Sequence, residues 1–318
     1  MSIEQNVPDV SVVIPVYRAE ECLEELYARL KTAIETVTTR YEILLIEDCG
    51  GDRSWSIIQE LSRRDPRVIG IQLSRNFGQH YAITAGLDHC RGQWTVVMDC
   101  DLQDPPEGIP ELYRKALEGY DIVLALRAER ADPMVKRAVS WFFYQAFSYL
   151  TDVTFDGRTR NFRIMSRKVV LALRQLREQL RFFAALVDWA GFRVAKIGVR
   201  HDARRHGQST YTYSKLLKLG VDTIVAYSDK PLRLAIRFGF LVAAMSMLAG
   251  VWFAAKVIFF GSPVLGWTSM IVSLYFLSGI IISILGLNGL YLGKVFNEAK
   301  KRPLYLIGES TSVLARTE

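Results

Sequence analysis

The chain is poor in residues that build metal clusters or covalent frameworks. Its 318 residues include only four cysteines and four histidines. Cys22, Cys49, Cys90 and Cys100 form no Cys-x-x-Cys pair, which argues against a zinc site, and they are too few for a disulfide scaffold. They read as reduced thiols of a cytosolic protein. His80, His89, His201 and His206 show neither metal-ligand nor triad spacing. The opening residues MSIEQNVPDV lack the basic start of a cleavable signal peptide. No internal repeat, low-complexity tract or nucleic-acid motif is evident, so nucleic acid is not an expected partner. With 50% hydrophobic and 23% charged residues, the chain is not disordered.

Charge is also absent from two long stretches near the C-terminus. Residues 238–255 and 265–291 contain no charged side chain. The apolar segments around them, 234–260 and 265–293, are each long enough to cross a hydrocarbon layer about 30 Å thick, which needs about 20 helical residues. The short uncharged link GSPV makes them a hairpin. Its outer flanks are basic: Lys215, Lys218, Lys230, Arg233 and Arg237 before, Lys294, Lys300, Lys301 and Arg302 after. Positive flanks stay inside, so both termini are expected to be cytoplasmic and the protein multi-pass in the cytoplasmic (inner) membrane. The alternative is a pair of buried helices in a soluble core. The net charge of +7 points to an anionic partner, such as phosphate or lipid headgroups.

The first two hundred residues follow another pattern. Val10–Pro15, Tyr41–Glu47, Val68–Leu73, Gln93–Met98 and Asp121–Leu126 are short apolar runs. Helical spacing marks 21–37, 53–64, 79–90 and 136–150. Alternating strands and helices, with apolar strands, predict an α/β domain whose mostly parallel sheet is covered on both faces. Ligands of such sheets bind beyond the carboxyl ends of the strands, where Asp48 and Asp99 fall.

The sharpest local feature is Met98-Asp99-Cys100-Asp101-Leu102-Gln103, directly after the fourth strand. In an extended chain Asp99, Asp101 and Gln103 share a face. Two carboxylates and an amide oxygen suit Mg²⁺ or Mn²⁺, hard cations that often bridge to substrate phosphates. Asp-x-Asp alone also occurs in solvated turns; here it closes a buried strand, and Pro105-Pro106 stiffen the exit. Tyr17, after Pro15-Val16, either stacks on a nucleobase or packs at the strand end. Asp48 either accepts hydrogen bonds from a base or ribose or caps the next helix, a task better suited to Asp52 or Ser54.

Together these features resemble the GT-A fold, Rossmann-like, of the inverting family 2 glycosyltransferases. The whole chain looks like the membrane-bound polyprenyl-phosphate glycosyltransferases, which include dolichyl-phosphate mannose synthases and bacterial bactoprenol glucosyltransferases. The stretches that carry the resemblance are SVVIPVYRAEE, YEILLIEDCGGDRS, LSRNFGQHYAITAGL, VVMDCDLQDPPEGIPEL, NFRIMSRKVV and RRHGQST. The resemblance implies a catalytic domain over 1–210, a juxtamembrane amphipathic segment over 211–233, two transmembrane helices at 234–260 and 265–293, and a cytoplasmic tail at 294–318. It implies that Pro15, Tyr17, Ile46 and Asp48 hold the nucleoside. Asp99, Cys100 (through its backbone) and Asp101 would contact nucleotide and metal, with Gln103 completing the metal shell of Mg²⁺ or Mn²⁺. Asp99, Asp101 and Arg127 form the implied catalytic set. Arg127, Lys136 or Arg137, Arg204 and the Gly207-x-Ser209 turn would serve the diphosphate and the acceptor phosphate, for which the arginine fork is well suited. Each of these arginines, taken alone, also reads as a surface residue.

Four departures from the family pattern stand out. Arg18-Ala19 replace Asn-Glu after Tyr17, leaving Glu20 as the acidic residue of that loop. Glu47-Asp48-Cys49-Gly50 replaces Asp-Asp-Gly-Ser. Thr210 replaces the lysine of Gly-x-Ser-Lys. Asn161 stands where many relatives carry an Asp that is a candidate catalytic base. A lipid phosphate, whose second pKa is about 6 by analogy with phosphoserine, needs no base. The missing base therefore favours a phosphate acceptor; Asp152 and Asp156 are the remaining candidate bases.

The implied reaction is inverting transfer of one sugar from a nucleotide sugar to polyprenyl (undecaprenyl) phosphate at the cytoplasmic face. UDP-glucose or a similar donor comes first and GDP-mannose second. Gln179-Leu180-Arg181-Phe182 does not match the Gln-x-x-Arg-Trp of processive synthases. The rival from another class is a non-catalytic membrane scaffold on a degenerate transferase fold. The basic amphipathic stretch 211–227 and the stretch 182–189 suit either the lipid bilayer interface or core packing. The resemblance further implies a homo-oligomer, with a tetramer as one candidate, and the strand-like tail 302–311 or the hairpin as packing between protomers.

Overall fold

The apolar runs of the first half become strands buried on both faces. A computed structural model describes residues 7–127, 159–199, 228, 230–260 and 266–312. The described chain falls into two compact units: one holds the sheet and the stretch from Arg302 onward, the other the two long C-terminal helices. In the first unit the strands are β1 (Val10–Val16), β2 (Tyr41–Glu47), β3 (Val68–Leu73), β4 (Trp94–Val97), β5 (Ile122–Arg127), β6 (Thr159–Ser166), β7 (Val194–Val199) and β8 (Ile307–Ser310). Its helices are α1 (Leu23–Glu35), α2 (Ser54–Arg64), α3 (Gln79–His89), α4 (Ile109–Leu117), α5 (Arg167–Gln175) and α6 (Phe183–Trp189).

The strands form one sheet in the order β7-β5-β6-β4-β1-β2-β3-β8. The pairs β1–β2, β1–β4, β2–β3 and β5–β7 are parallel. β6 runs antiparallel between β4 and β5, and β8 antiparallel along β3. The expectation of a mostly parallel sheet holds, with these two exceptions. Every residue of β1 and β2 is buried, which is why both read as continuous apolar runs. β7 alternates exposed and buried positions at the sheet's edge, so it offers no such run.

On one face, α1 buries Leu23, Leu26, Leu30 and Ile34, one stripe at helical spacing. α3 covers the opposite face and approaches closely at Gly86, where an added Cβ would lie 2.2 Å from Val13 Cγ1 and 3.2 Å from Ile46 Cγ1. Val13 sits in the middle of a fully buried strand and has no room to yield. Gly86→Val is therefore expected to cost about 3 kcal/mol, at the upper end of core overpacking. A thermal melt of the detergent-solubilised protein measures this. The helix it displaces carries Gln79, a residue of the candidate site.

The stretch after Arg302 was expected to be strand-like and a candidate for packing between protomers. It is a strand, but it pairs with the outer edge of β3 in its own chain. Thr311 N–H donates to Gly70 O at 3.0 Å, and Gly70 N–H donates to Thr311 Oγ1 at 2.9 Å. Trp55 Nε1 donates to Glu309 Oε2 at 3.0 Å, and Tyr305 Oη donates to the buried Asp88 Oδ2 at 2.9 Å. An exposed strand edge invites unwanted pairing, and β8 covers that of β3.

The second unit is described by α7 (Lys230–Phe260) and α8 (Trp267–Ala299), of 31 and 33 residues. They lie side by side in opposite directions: Tyr291 Oη donates to Ser228 O at 2.7 Å, and Ile284 faces Gly239. Their surfaces are apolar and uncovered, with Phe240, Met247, Leu248, Trp252, Tyr275, Ile282 and Leu292 all exposed. Two spans were expected; among the described residues one segment, Ser273–Ala299, has the length and composition to cross a membrane.

Candidate active site

The carboxyl ends of β1, β2 and β4 meet at one edge of the sheet, and the loops that leave them are tied together. Ala19 N–H donates to Ser54 Oγ at 3.0 Å, Arg53 N–H to Glu20 Oε2 at 2.8 Å, and Arg18 Nε to Gly50 O at 3.1 Å. Glu20, the acidic residue left in the first loop, is thus engaged with the second. Gly50 is required here, since a Cβ would lie 2.8 Å from Arg18 N. Pro15 is buried inside β1. Tyr17, just past the strand, is 43% exposed, and the Arg18 guanidinium lies 5.4 Å from its ring centroid. An exposed aromatic ring at a strand's carboxyl end is a surface on which a base can stack.

Asp48 is buried, and both of its carboxylate oxygens are in use. Phe77 N–H donates to Oδ1 at 2.7 Å and Gly78 N–H to Oδ2 at 2.8 Å. Burial raises its pKa, and the two amide donors oppose that rise. Asp48 therefore anchors the loop that enters α3. Glu47 does similar work, accepting from Gly50 N–H at 2.6 Å and Gln72 Nε2 at 2.9 Å. Ile46 is wholly buried and turned toward Gly86, so its side chain belongs to the core.

The segment after β4 departs from the extended geometry expected for it. β4 ends at Val97, and the chain turns through Cys100 and Asp101 with Leu102 at φ +57°. Asp101 Oδ1 accepts Gln103 N–H at 3.1 Å, an Asx turn, and Gln103 is buried at 8% exposure. Asp99, Asp101 and Gln103 therefore do not line one face of a strand. The short polar side chain of Asp101 favours the turn over continued pairing. Cys100 O accepts the Cys22 thiol at 3.0 Å.

Asp99 is held by two side-chain amides. Its Oδ1 accepts Gln79 Nε2 at 2.8 Å and Asn161 Nδ2 at 3.0 Å. Behind it lies Arg163, 1% exposed, whose guanidinium sits 4.7 Å from the Phe183 ring centroid and donates through Nε to Asn161 O at 3.1 Å. Burial lowers the Arg163 pKa to about 10, with the Asp99 carboxylate opposing. The guanidinium stays protonated at neutral pH. His80 packs edge-on to Phe182, and burial together with Arg163 and Arg181 lowers its pKa to about 4, so it is neutral.

Pro15, Tyr17, Asp48, Asp99, Cys100 and Asp101 thus share one end of the sheet. Arg127 closes β5, but its side chain lies outside the described residues. So do Lys136, Arg137, Arg204, Gly207, Ser209, His201, His206, Asp152, Asp156 and residues 211–227. Gln79 and Arg163 received no role from the sequence. The only signal for either was the stretch that contained it, because neither has a motif of its own. Among the described residues no three His, Cys, Asp or Glu side chains gather to hold a metal by themselves. The pair Asp99 and Asp101 fits a Mg²⁺ or Mn²⁺ ion that keeps most of its shell for phosphate and water, the usual habit of Mg²⁺ at nucleotide sites.

Comparison with known proteins bears on the family and the fold. Residues 11–174 match the model of glycosyl transferase family 2. An uncharacterized glycosyltransferase of Bacillus subtilis is 40% identical over 304 residues, covering 95% of this chain and 94% of its own. A bactoprenol glucosyl transferase of Shigella phage SfX is 36% identical over 299 residues, covering 94% and 98%. Among solved structures, glucosyl-3-phosphoglycerate synthase from Mycobacterium tuberculosis superposes with a TM-score of 0.50 at 16% identity. That match covers 69% of this chain and 79% of the other.

Proposed function

The chain belongs to glycosyl transferase family 2, and on that premise we propose that it transfers one sugar from a nucleotide diphosphate donor to a polyprenyl phosphate, with inversion at the sugar carbon. The observation that carries the acceptor is the likeness to bactoprenol glucosyl transferases over 94% of this chain and 98% of theirs. The glucosyl in their name makes UDP-glucose the first donor to test. The GT-A unit supplies a sheet edge where Tyr17 offers a stacking face, Asp48 orders the loop into α3, and Asp99 and Asp101 stand after β4.

The proposed chemistry needs little from the protein beyond placement. An oxygen of the lipid phosphate forms a bond to the anomeric carbon as the bond to the nucleoside diphosphate breaks. The nucleophile is already ionised near neutral pH, its second pKa being about 6. No base is required, which agrees with Asn161, an amide, facing Asp99. Asp99 and Asp101 would hold Mg²⁺ or Mn²⁺, which supplies charge neutralisation to the diphosphate. The remaining work is to hold two anionic reactants in line.

In this reading α7 and α8 form a two-span membrane hairpin with both termini cytoplasmic, and protomers assemble through surfaces the single chain leaves open. The test is an assay in detergent with undecaprenyl phosphate, Mn²⁺ and a panel of UDP- and GDP-sugars. A glycosyl lipid from one donor supports the reading. Nucleotide release from a donor with no glycosyl lipid, whatever the donor, contradicts the acceptor.

A further inference from the structure

Asn161 and Gln79 come from different elements yet reach the same oxygen. The β4–β6 ladder explains the first. Its antiparallel register pairs Trp94 with Ser166 and Val97 with Arg163. Continuing two residues past β4 puts Asn161 opposite Asp99, and the 3.0 Å contact from Nδ2 to Oδ1 lies there. Gln79 opens α3, directly after the Phe77 and Gly78 amides that Asp48 holds. Both donors stand on rigid supports. The buried Arg163 donates to Asn161 O, and α3 is seated against β1 at Gly86.

We infer that Asn161 and Gln79 are positioning residues that fix the Asp99 carboxylate in one orientation for the metal–nucleotide complex. The inference rests on the reading above, in that Asp99 meets the donor. Two amide NH₂ groups suit this task because each must donate to a carboxylate, and an ionised Asp at 161 would have no proton to give. The arrangement gives the amide at 161 a purpose: it supports Asp99 and takes no part in proton transfer. Partners that orient a metal-binding carboxylate typically contribute 10- to 100-fold in affinity or activity.

The test compares Asn161→Ala, Gln79→Met and the double variant with wild type. Calorimetry would measure the affinity for Mn²⁺ with UDP or GDP, whichever the wild-type protein binds. No acceptor is present, so the result does not depend on the lipid acceptor being right. Each single change is expected to weaken Mn²⁺–nucleotide binding roughly tenfold. In turnover, kcat should fall while KM for the acceptor holds. Gln79 is exposed, so Gln79→Met should melt with wild type and keeps the test open if Asn161→Ala folds poorly. An affinity within about twofold of wild type in folded Gln79→Met and the double variant, or losses that only follow the melting temperature, would overturn the inference.

Discussion

Asp101→Asn is expected to reduce sugar transfer by about 10³-fold while leaving the protein folded, a loss of about 4 kcal/mol of transition-state stabilisation. The substitution separates charge from shape. An asparagine oxygen can still accept Gln103 N–H, so the turn at Leu102 survives. What disappears is one of two carboxylates that would share a cation with the diphosphate. Turnover with saturating donor and acceptor, beside a thermal melt, separates the two effects. Near-normal activity in Asp101→Asn would remove this carboxylate from the chemistry.

Arg163→Leu should be damaging in a different way, lowering both stability and activity. The guanidinium is 1% exposed, held over Phe183 and bonded to Asn161 O, with Asp99 as its nearby countercharge. Replacing this wholly buried side chain leaves a void beside Phe183 and an unpaired Asn161 O, which together cost about 3 kcal/mol. For a unit of this size that lowers the melting midpoint by on the order of 10 °C. Donor turnover should fall in the fraction that stays folded, since Asn161 loses its anchor. Arg163→Lys is not expected to rescue, because a lysine has no planar fork and is more strongly hydrated. A midpoint within about 2 °C of wild type in Arg163→Leu would show that the buried cation is dispensable.

The parts of the fold visible in the sequence were those with a simple physical signature. β1 and β2 are buried on both faces and read as unbroken apolar runs, and the helices between the strands showed their stripes. β7 was missed because an edge strand alternates. β6 was missed because its core-facing Phe162 and Ile164 alternate with polar Asn161 and Arg163, which here point into the site's own network. Asp99 and Asp101 were singled out for their place after a buried strand, and that place is where the structure has them. The turn that follows them was not, because the left-handed Leu102 lies outside any rule of alternation. The helix start at Gln79 was legible, but its contact with Asp99 is a juxtaposition of two distant segments that no local pattern reports. Asp48 was read as a ligand contact or a cap, and the structure adds a further task, since each of its oxygens accepts an amide of the loop into α3.

The most direct measurement compares two acceptors that differ only in the phosphate. Purified protein with Mn²⁺ and labelled UDP-glucose would receive either undecaprenyl phosphate or undecaprenol, with label counted in the organic phase. Should UDP-glucose prove not to be the donor, the donor identified in the panel takes its place. The account predicts transfer to the phosphate and none to the alcohol, because the chain places an amide at Asn161 and relies on an acceptor already ionised. Transfer to undecaprenol at a comparable rate would contradict it, and would require a base that Asn161 cannot be.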